Sequence, residues 1–377
     1  MPSIKRRVIR ASSYSIISVI ALYFLSPPNP QPGVSLTNKD DTGRFIAQYV
    51  PEQGFCSSIY RRACESTSLT RDPTGVVFSD AEGEIQALRV YEQIIRKNPS
   101  WDRQRADDEL VRTIYTPKQR SRVHKAFRWV MHEIELLIER QPESIFTTLE
   151  KHQLKGHLKK VDLQLPSPTS LYKDEPDLYT KNDVFYERTF EGKTRLRVGC
   201  AYLMAAKSWF NMVYTVAHEL AHSIDPCEMR SAHLSYPAYD RLGACFLQNG
   251  LIEARKMRLE CGENDQLSET FADWVAAQIA ARALSDYATE FHKKDLEAAA
   301  INSVKDLCDQ EEDLKELDVE HHPHPRTRIE EIFSKNPRIH ELFGCPDVSG
   351  PAYCSFEWVA PPSSVHIQTE INRGQSP

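Results

Sequence analysis

The segment Thr215-Val-Ala-His-Glu-Leu-Ala-His-Ser-Ile-Asp225 constrains this chain more than any other stretch. Histidines four positions apart on a helix share a face, so His218 and His222 can aim ring nitrogens at one metal ion. Glu219 lies one step round that helix, beside such a metal. There it can take a proton from a water that the metal activates and return it to a leaving amine. Catalytic zinc needs a third protein ligand and one open position. Val213, Val216, Ala217, Leu220 and Ile224 give this helix the apolar surroundings of a buried metal helix.

A second segment, Leu267-Ser-Glu-Thr-Phe-Ala-Asp-Trp274, opens a long apolar-periodic helix through Phe271, Trp274, Val275 and Ile279. Glu269 and Asp273 share a face of it. Glu269 as third ligand completes a His2Glu site, the arrangement of catalytic zinc, with one ion per chain. Asp273, one turn on, can accept the free ring N–H of a ligating histidine and fix its tautomer. The bland reading makes both acids favourable charges near a helix N-terminus.

HExxH followed by a helix bearing ExxxD resembles the gluzincin metallopeptidases. The neprilysin-type branch has an Asp three residues after its second ligand His, matched by Asp225, a residue expected to support the ligands. It also has a late His followed six residues on by an Arg, here within His322-Pro-His-Pro-Arg-Thr-Arg328, and a segment closing on Phe-x-Cys, here Phe343-Gly-Cys345. His322, Pro323, Arg328 and Ile329 also fit a pattern of HtpX-type proteases. The resemblance covers roughly residues 195–355. It implies a zincin-like fold, an oxyanion-stabilising histidine and an arginine that grips a substrate carbonyl, as a donor beside zinc would stabilise developing charge. His322 or His324 takes the first role, with spacing favouring His322, and Arg328 the second. The neprilysin-type edge-strand motif is not evident, and Arg197-Val-Gly-Cys-Ala201 is the expected substitute.

The periodicity predicts a mainly α protein with a small β-sheet (α+β), a zincin-like catalytic domain with an additional helical N-terminal region. Ser79 and Glu82 have capping-box spacing ahead of a stripe Ile85, Leu88, Tyr91, Ile94 and Ile95. Thr116 and Pro117 read as N-cap and first residue of a helix whose core stripe runs from Val123 to Ile138. Short strands are expected near Val184–Phe190 and Arg195–Leu203. The resulting organisation is an N-terminal signal or anchor at 1–26, a linker at 27–45, a helical region at 46–165, the catalytic domain at 166–360 and a disordered tail at 361–377.

Lys5, Arg6, Arg7 and Arg10 precede the apolar run Ile16–Leu25, which is too short for a comfortable membrane span. An export signal is expected, cleaved or retained as an anchor, giving a periplasmic or secreted protein. All nine cysteines follow it, so disulfides are expected, with Cys56/Cys64 and Cys345/Cys354 as plausible local pairs and at least one cysteine left over. The net charge of −6, without a basic stripe, excludes nucleic acid as partner. The expected partner is a peptide or protein substrate. The alternative is a non-catalytic, zinc-stabilised binding module on a peptidase-like fold, against which the intact Glu219 speaks.

Overall fold

The computed structural model describes residues 34–39, 45–49, 54–66, 70–77, 80–167, 181–189, 191–203, 207–252, 266–308, 322–345 and 353–357. The chain divides into Met1–Gln53 and Gly54–Pro377. In the first unit, β1 (Val34–Lys39) and β2 (Phe45–Tyr49) pair antiparallel, so part of the expected linker has regular backbone. The expected signal at 1–26 and tail at 361–377 lie outside the described residues. Among those described, no helix is long and apolar enough to cross a membrane.

The second unit is mainly helical with small sheets, the expected class. A minimal ribbon, β3 (Arg71–Asp72) with β4 (Gly75–Val76), precedes α1 (Asp80–Lys97), α2 (Arg103–Ile114), α3 (Pro117–Glu139) and α4 (Thr148–Leu158). Thr116 caps α3 as expected. Its hydroxyl accepts from Gln119 N, the Gln119 side chain accepts from Thr116 N, and Pro117 occupies the first helical position. Helix α1 forms where the periodicity expects one. Gly83, Ala87 and Ile94 face the body, while Ile85 and Leu88 are 47% and 48% exposed.

Three strands form the sheet beside the site: β5 (Asp162–Gln164), β6 (Val184–Arg188) and β7 (Thr194–Val198), in the order β5–β7–β6. β5 is parallel and β6 antiparallel to β7, with Tyr186 opposite Leu196. The segment Arg197–Ala201, expected to supply an edge, instead ends the central strand and turns away at Cys200. The edge is β6, whose far side has no strand partner among the described residues.

Helix α5 (Trp209–Ala221) is buried on nearly all faces, because it packs against α3, α8 (Gln266–Tyr287), α9 (Lys293–Val304) and β6 together. Between α5 and α8 come the short α6 (Pro226–Ser231) and α7 (Pro237–Gln248). Ala272, Ala276, Ala277, Ala280 and Ala283 line α8 as buried small residues, which allows close helix approach. The chain closes with a helical turn at Thr327–Phe333 and α10 (Pro337–Phe343), ended by Gly344 at φ 64° in the left-handed region. The N-terminal helices and the site helices therefore share one core.

Disulfides staple this unit over long range rather than locally. Cys56 joins Cys345, Cys64 joins Cys308 and Cys245 joins Cys354, with Cα separations of 6.0, 5.2 and 5.7 Å. Neither expected local pair forms, since the fold brings the unit's first turns against its last helix. Cys227 is also disulfide-bonded. The leftover thiol among the described residues is Cys200, whose burial pushes its pKa up to about 12.

Candidate metal centre

Helix α5 tightens at its C-terminus into a turn at His222–Ile224, and Asp225 then caps α6 by accepting from Glu228 N at 2.7 Å. This places His218 and His222 on one face, with rings 5.0 Å apart. α8 crosses them and delivers Glu269. The donor atoms of His218, His222 and Glu269 all lie within 4.8 Å of one another. Glu269 Oε2 stands 3.2 Å from His218 Nε2 and 3.6 Å from His222 Nε2. Zinc bonds of about 2.1 Å at tetrahedral angles put ligand atoms roughly 3.4 Å apart, so the spacing fits.

The polar bookkeeping fits as well. Glu269 Oε2 is buried and makes no properly aligned hydrogen bond, although imidazole nitrogens face it. Both rings present Nε2 to the shared point and turn Nδ1 to a carboxylate behind. His218 Nδ1 is 3.0 Å from Asp273 Oδ1, and His222 Nδ1 is 3.1 Å from Asp225 Oδ2. Such carboxylates fix the tautomer that leaves Nε2 as ligand. Ser268 adds a contact to His222 Nδ1 at 3.3 Å and donates to Asp225 Oδ2.

The electrostatics show a pocket built for positive charge. Burial by itself would lower the pKa of His218, but the Asp273 and Glu269 carboxylates beside its two ring nitrogens outweigh it, raising it to about 10. Burial likewise works to lower His222, and Glu269 with Asp225 raises it to about 9. Burial opposes ionisation of Glu269 too, yet the three histidines hold its carboxyl well below the usual range. In metal-free protein these groups hold protons where zinc would otherwise supply the charge.

Asp273 is wholly buried, and it is anchored twice. Arg328 donates to both of its oxygens at 2.7 Å, and Tyr214 Oη donates to Oδ1 at 3.3 Å. Burial would raise its pKa, but Arg328 and His218 outweigh that and hold it at about 2. Arg328, expected to grip a substrate carbonyl, is only 2% exposed and has two nitrogens committed to Asp273. The Thr327–Phe333 turn packs against α8 and brings the guanidinium to Asp273. Arg328 thus holds Asp273, which in turn contacts His218, while Arg328 also belongs to the lining of the cavity described below.

The two late histidines are placed differently. His322 Nε2 lies 2.9 Å from Glu269 Oε2, and its ring stacks on His218 at 6.0 Å. Gln266 Nε2 donates to His322 O at 3.4 Å, tying this loop to the start of α8. His324 is exposed, and its Nδ1 accepts from Arg326 N at 3.1 Å in the following helical turn.

Glu219 stands beside the ligand set rather than within it. Its Oε1 is 4.0 Å from His218 Nε2, and its Oε2 accepts from Tyr186 N at 2.7 Å. That amide points outward from edge strand β6. A cavity of about 600 Å³ joins these parts, lined among others by Val184, Phe185, Tyr186, Glu219, His222 and His322. Tyr186, Tyr214 and Ser268 were not picked out from sequence; the position of Ser268 beside Glu269 was the available signal. A scan against protein-family models finds no match for this chain, and a search of curated proteins finds none either.

Proposed function

We propose that this protein is a zinc-dependent peptidase of gluzincin type, exported to an oxidising compartment, periplasmic or extracellular. The observation that carries this reading is the position of Glu219, a carboxylate next to a His2Glu cluster and facing an open cavity. A purely structural zinc site has no use for it. Long-range disulfides support the compartment, since such bonds persist where thiols are oxidised.

When bound, zinc supplies Lewis acidity, polarising the scissile carbonyl and lowering the pKa of nearby water. The chain's own residues do the rest. His218, His222 and Glu269 would hold the ion, and Asp273 and Asp225 orient the two rings. The Tyr186 amide fixes Glu219, which accepts a proton from the attacking water and passes it to the leaving amine nitrogen. His322, at the open side of the cluster, donates toward the developing oxyanion. An extended peptide laid beside edge strand β6 would bring its carbonyl to this point by strand addition.

The test is Glu219→Gln. The variant should keep its metal and lose peptide hydrolysis by about 10²–10⁴-fold, the contribution of a positioned base. Undiminished hydrolysis would exclude Glu219 as the base.

A further inference from the structure

Beyond Glu219 the cavity continues along α5 into a recess that the metal does not explain. Helical spacing puts Asn211, Thr215 and Glu219 on one face, so Asn211 lies about 12 Å from Glu219 at about 1.5 Å rise per residue. Asp183, at the start of β6, and Ser303 and Asp306, from the end of α9 and the turn after it, complete the walls.

The recess presents acceptors and withholds donors. Thr215 Oγ1 donates to Asn211 O at 3.1 Å, and Ser303 Oγ donates to Ala299 O at 3.0 Å. Both hydroxyls therefore turn lone pairs, not hydrogens, outward. Asn211 is 1% exposed; its Nδ2 donates to Asn302 O at 3.1 Å, which fixes the amide orientation and leaves Oδ1 buried without a partner. Asp306 shows the same split. Its Oδ2 pairs with Lys207 Nζ at 3.1 Å, while its Oδ1 is buried and unpartnered. Lys207 sits behind this wall, its ammonium 3.8 Å from the Tyr202 ring centroid, and is not part of the cavity lining.

Asp183 is held rigidly at the mouth. Gly199 N donates to Asp183 O at 2.8 Å, and Ala201 N donates to Lys181 O at 3.0 Å. A Cβ on Gly199 would meet Lys181 O at 2.3 Å, and one on Gly83 would meet Asn182 Nδ2 at 2.6 Å, so this segment is clamped from two sides. Burial, with the Glu219 and Asp306 charges, raises the Asp183 carboxyl to about 7, against an amide bond from Val184 and the charge of Lys207 behind the wall. Buried acceptors in such number cost free energy until donors reach them. Apart from His218, His222 and Glu269, no three described imidazoles, thiols or carboxylates cluster closely enough for a second metal.

Resting on the peptidase reading, we propose that this recess is a specificity subsite for a substrate cation, an ammonium or guanidinium held by Asp183, Asp306 and Asn211. Its distance from Glu219 suits either a lysine or arginine side chain close to the scissile bond or the α-ammonium of a short peptide. Apolar and acidic groups would leave the acceptors unmet, and neutral donors would leave the carboxylate charge unpaired.

The experiment uses the full-length, zinc-loaded Glu219→Gln protein and fluorescent peptides that differ at one position, lysine against isosteric norleucine, each with free or acetylated N-terminus. Binding by anisotropy is read separately from cleavage by the wild type, so a failed peptidase reading and a failed subsite are distinguishable. We expect lysine peptides, or free over acetylated N-termini, to bind at least about tenfold tighter, a gap corresponding to ~1.4 kcal/mol. The first result identifies a side-chain source and the second a terminal one. Adding Asp183→Asn should shrink the gap, and Asp306→Asn should do so independently if it folds with Lys207 unpaired. Equal binding of all four peptides, or a preference untouched by Asp183→Asn, would overturn the proposal.

Discussion

The two ends of the cavity differ in how completely their polar groups are answered. At the metal end, each ligand imidazole has a carboxylate behind it, and each of those carboxylates has its own donors: Arg328 and Tyr214 for Asp273, Ser268 and the Glu228 amide for Asp225. At the far end, Asn211 Oδ1 and Asp306 Oδ1 are buried with nothing to accept from. A site that must hold an ion in fixed geometry gains from a closed network, whereas one that must exchange substrates keeps its acceptors open. The contrast is that the histidine pair is held by answered carboxylates, with Glu269 Oε2 the buried acceptor left for a metal, whereas the far end leaves its acceptors open to a ligand, as the proposed subsite requires.

The largest expected effect comes from breaking the closed network at its anchor. Arg328→Ala leaves Asp273 buried without its countercharge and should destabilise the protein by about 3–5 kcal/mol in denaturant titration, with weakened zinc binding. A loss below about 1 kcal/mol, with normal zinc affinity, would show that the network is not an anchor. The open end depends instead on a covalent strap, because Cys308 lies just beyond Asp306 and is tied to Cys64. Replacing both cysteines with serine should cost about 2–5 kcal/mol while leaving zinc content intact. Zinc loss in that variant would mean that the two ends are not independent.

A smaller effect is expected at the edge of the closed network. Ser268→Ala removes the hydroxyl shared by Asp225 and His222 and should weaken zinc affinity by about 10-fold, the lower range for such supports. Competition against a chelator would measure it, and an unchanged affinity would remove Ser268 from the ligand support. A further effect, at the open end, is a pH slope. Asp183 has a raised pKa in the folded protein, so the folded state binds its proton more tightly than the unfolded chain. Its stability contribution is present below the ordinary carboxyl value of 3.8 and is lost as pH rises through about 7. In substrate-free protein, Asp183→Asn should therefore raise the melting temperature relative to wild type increasingly from about pH 4 to about pH 8. Parallel curves for the two proteins would show that Asp183 does not carry this strain.

What could be read from sequence follows the same division. His218, Glu219, His222, Glu269, Asp273 and Asp225 sit at helical intervals within two short segments, so elementary geometry relates them before any tertiary structure is known. His322 needed the placement of its loop against α8 to be separated from His324. Arg328 is visible as a residue, but its ion pair with Asp273 is not, since spacing cannot say which carboxylate a guanidinium meets. Asp183, Asn211 and Asp306 come from three distant segments and share no local pattern. The disulfides span 289, 244 and 109 residues, beyond any local pairing rule. In α1 the periodicity marks the helix but not which face is buried, because small Gly83 and Ala87, rather than Ile85 and Leu88, face the body.

The most direct test of the central claim is elemental analysis of the purified protein alongside its His218→Ala variant. The structure predicts about one zinc per chain in the wild type and essentially none in the variant, because His218, His222 and Glu269 must all contribute to an ion that keeps one position open. Wild-type protein that takes up no zinc, or a variant that retains it fully, would contradict the metal centre and the peptidase chemistry built on it.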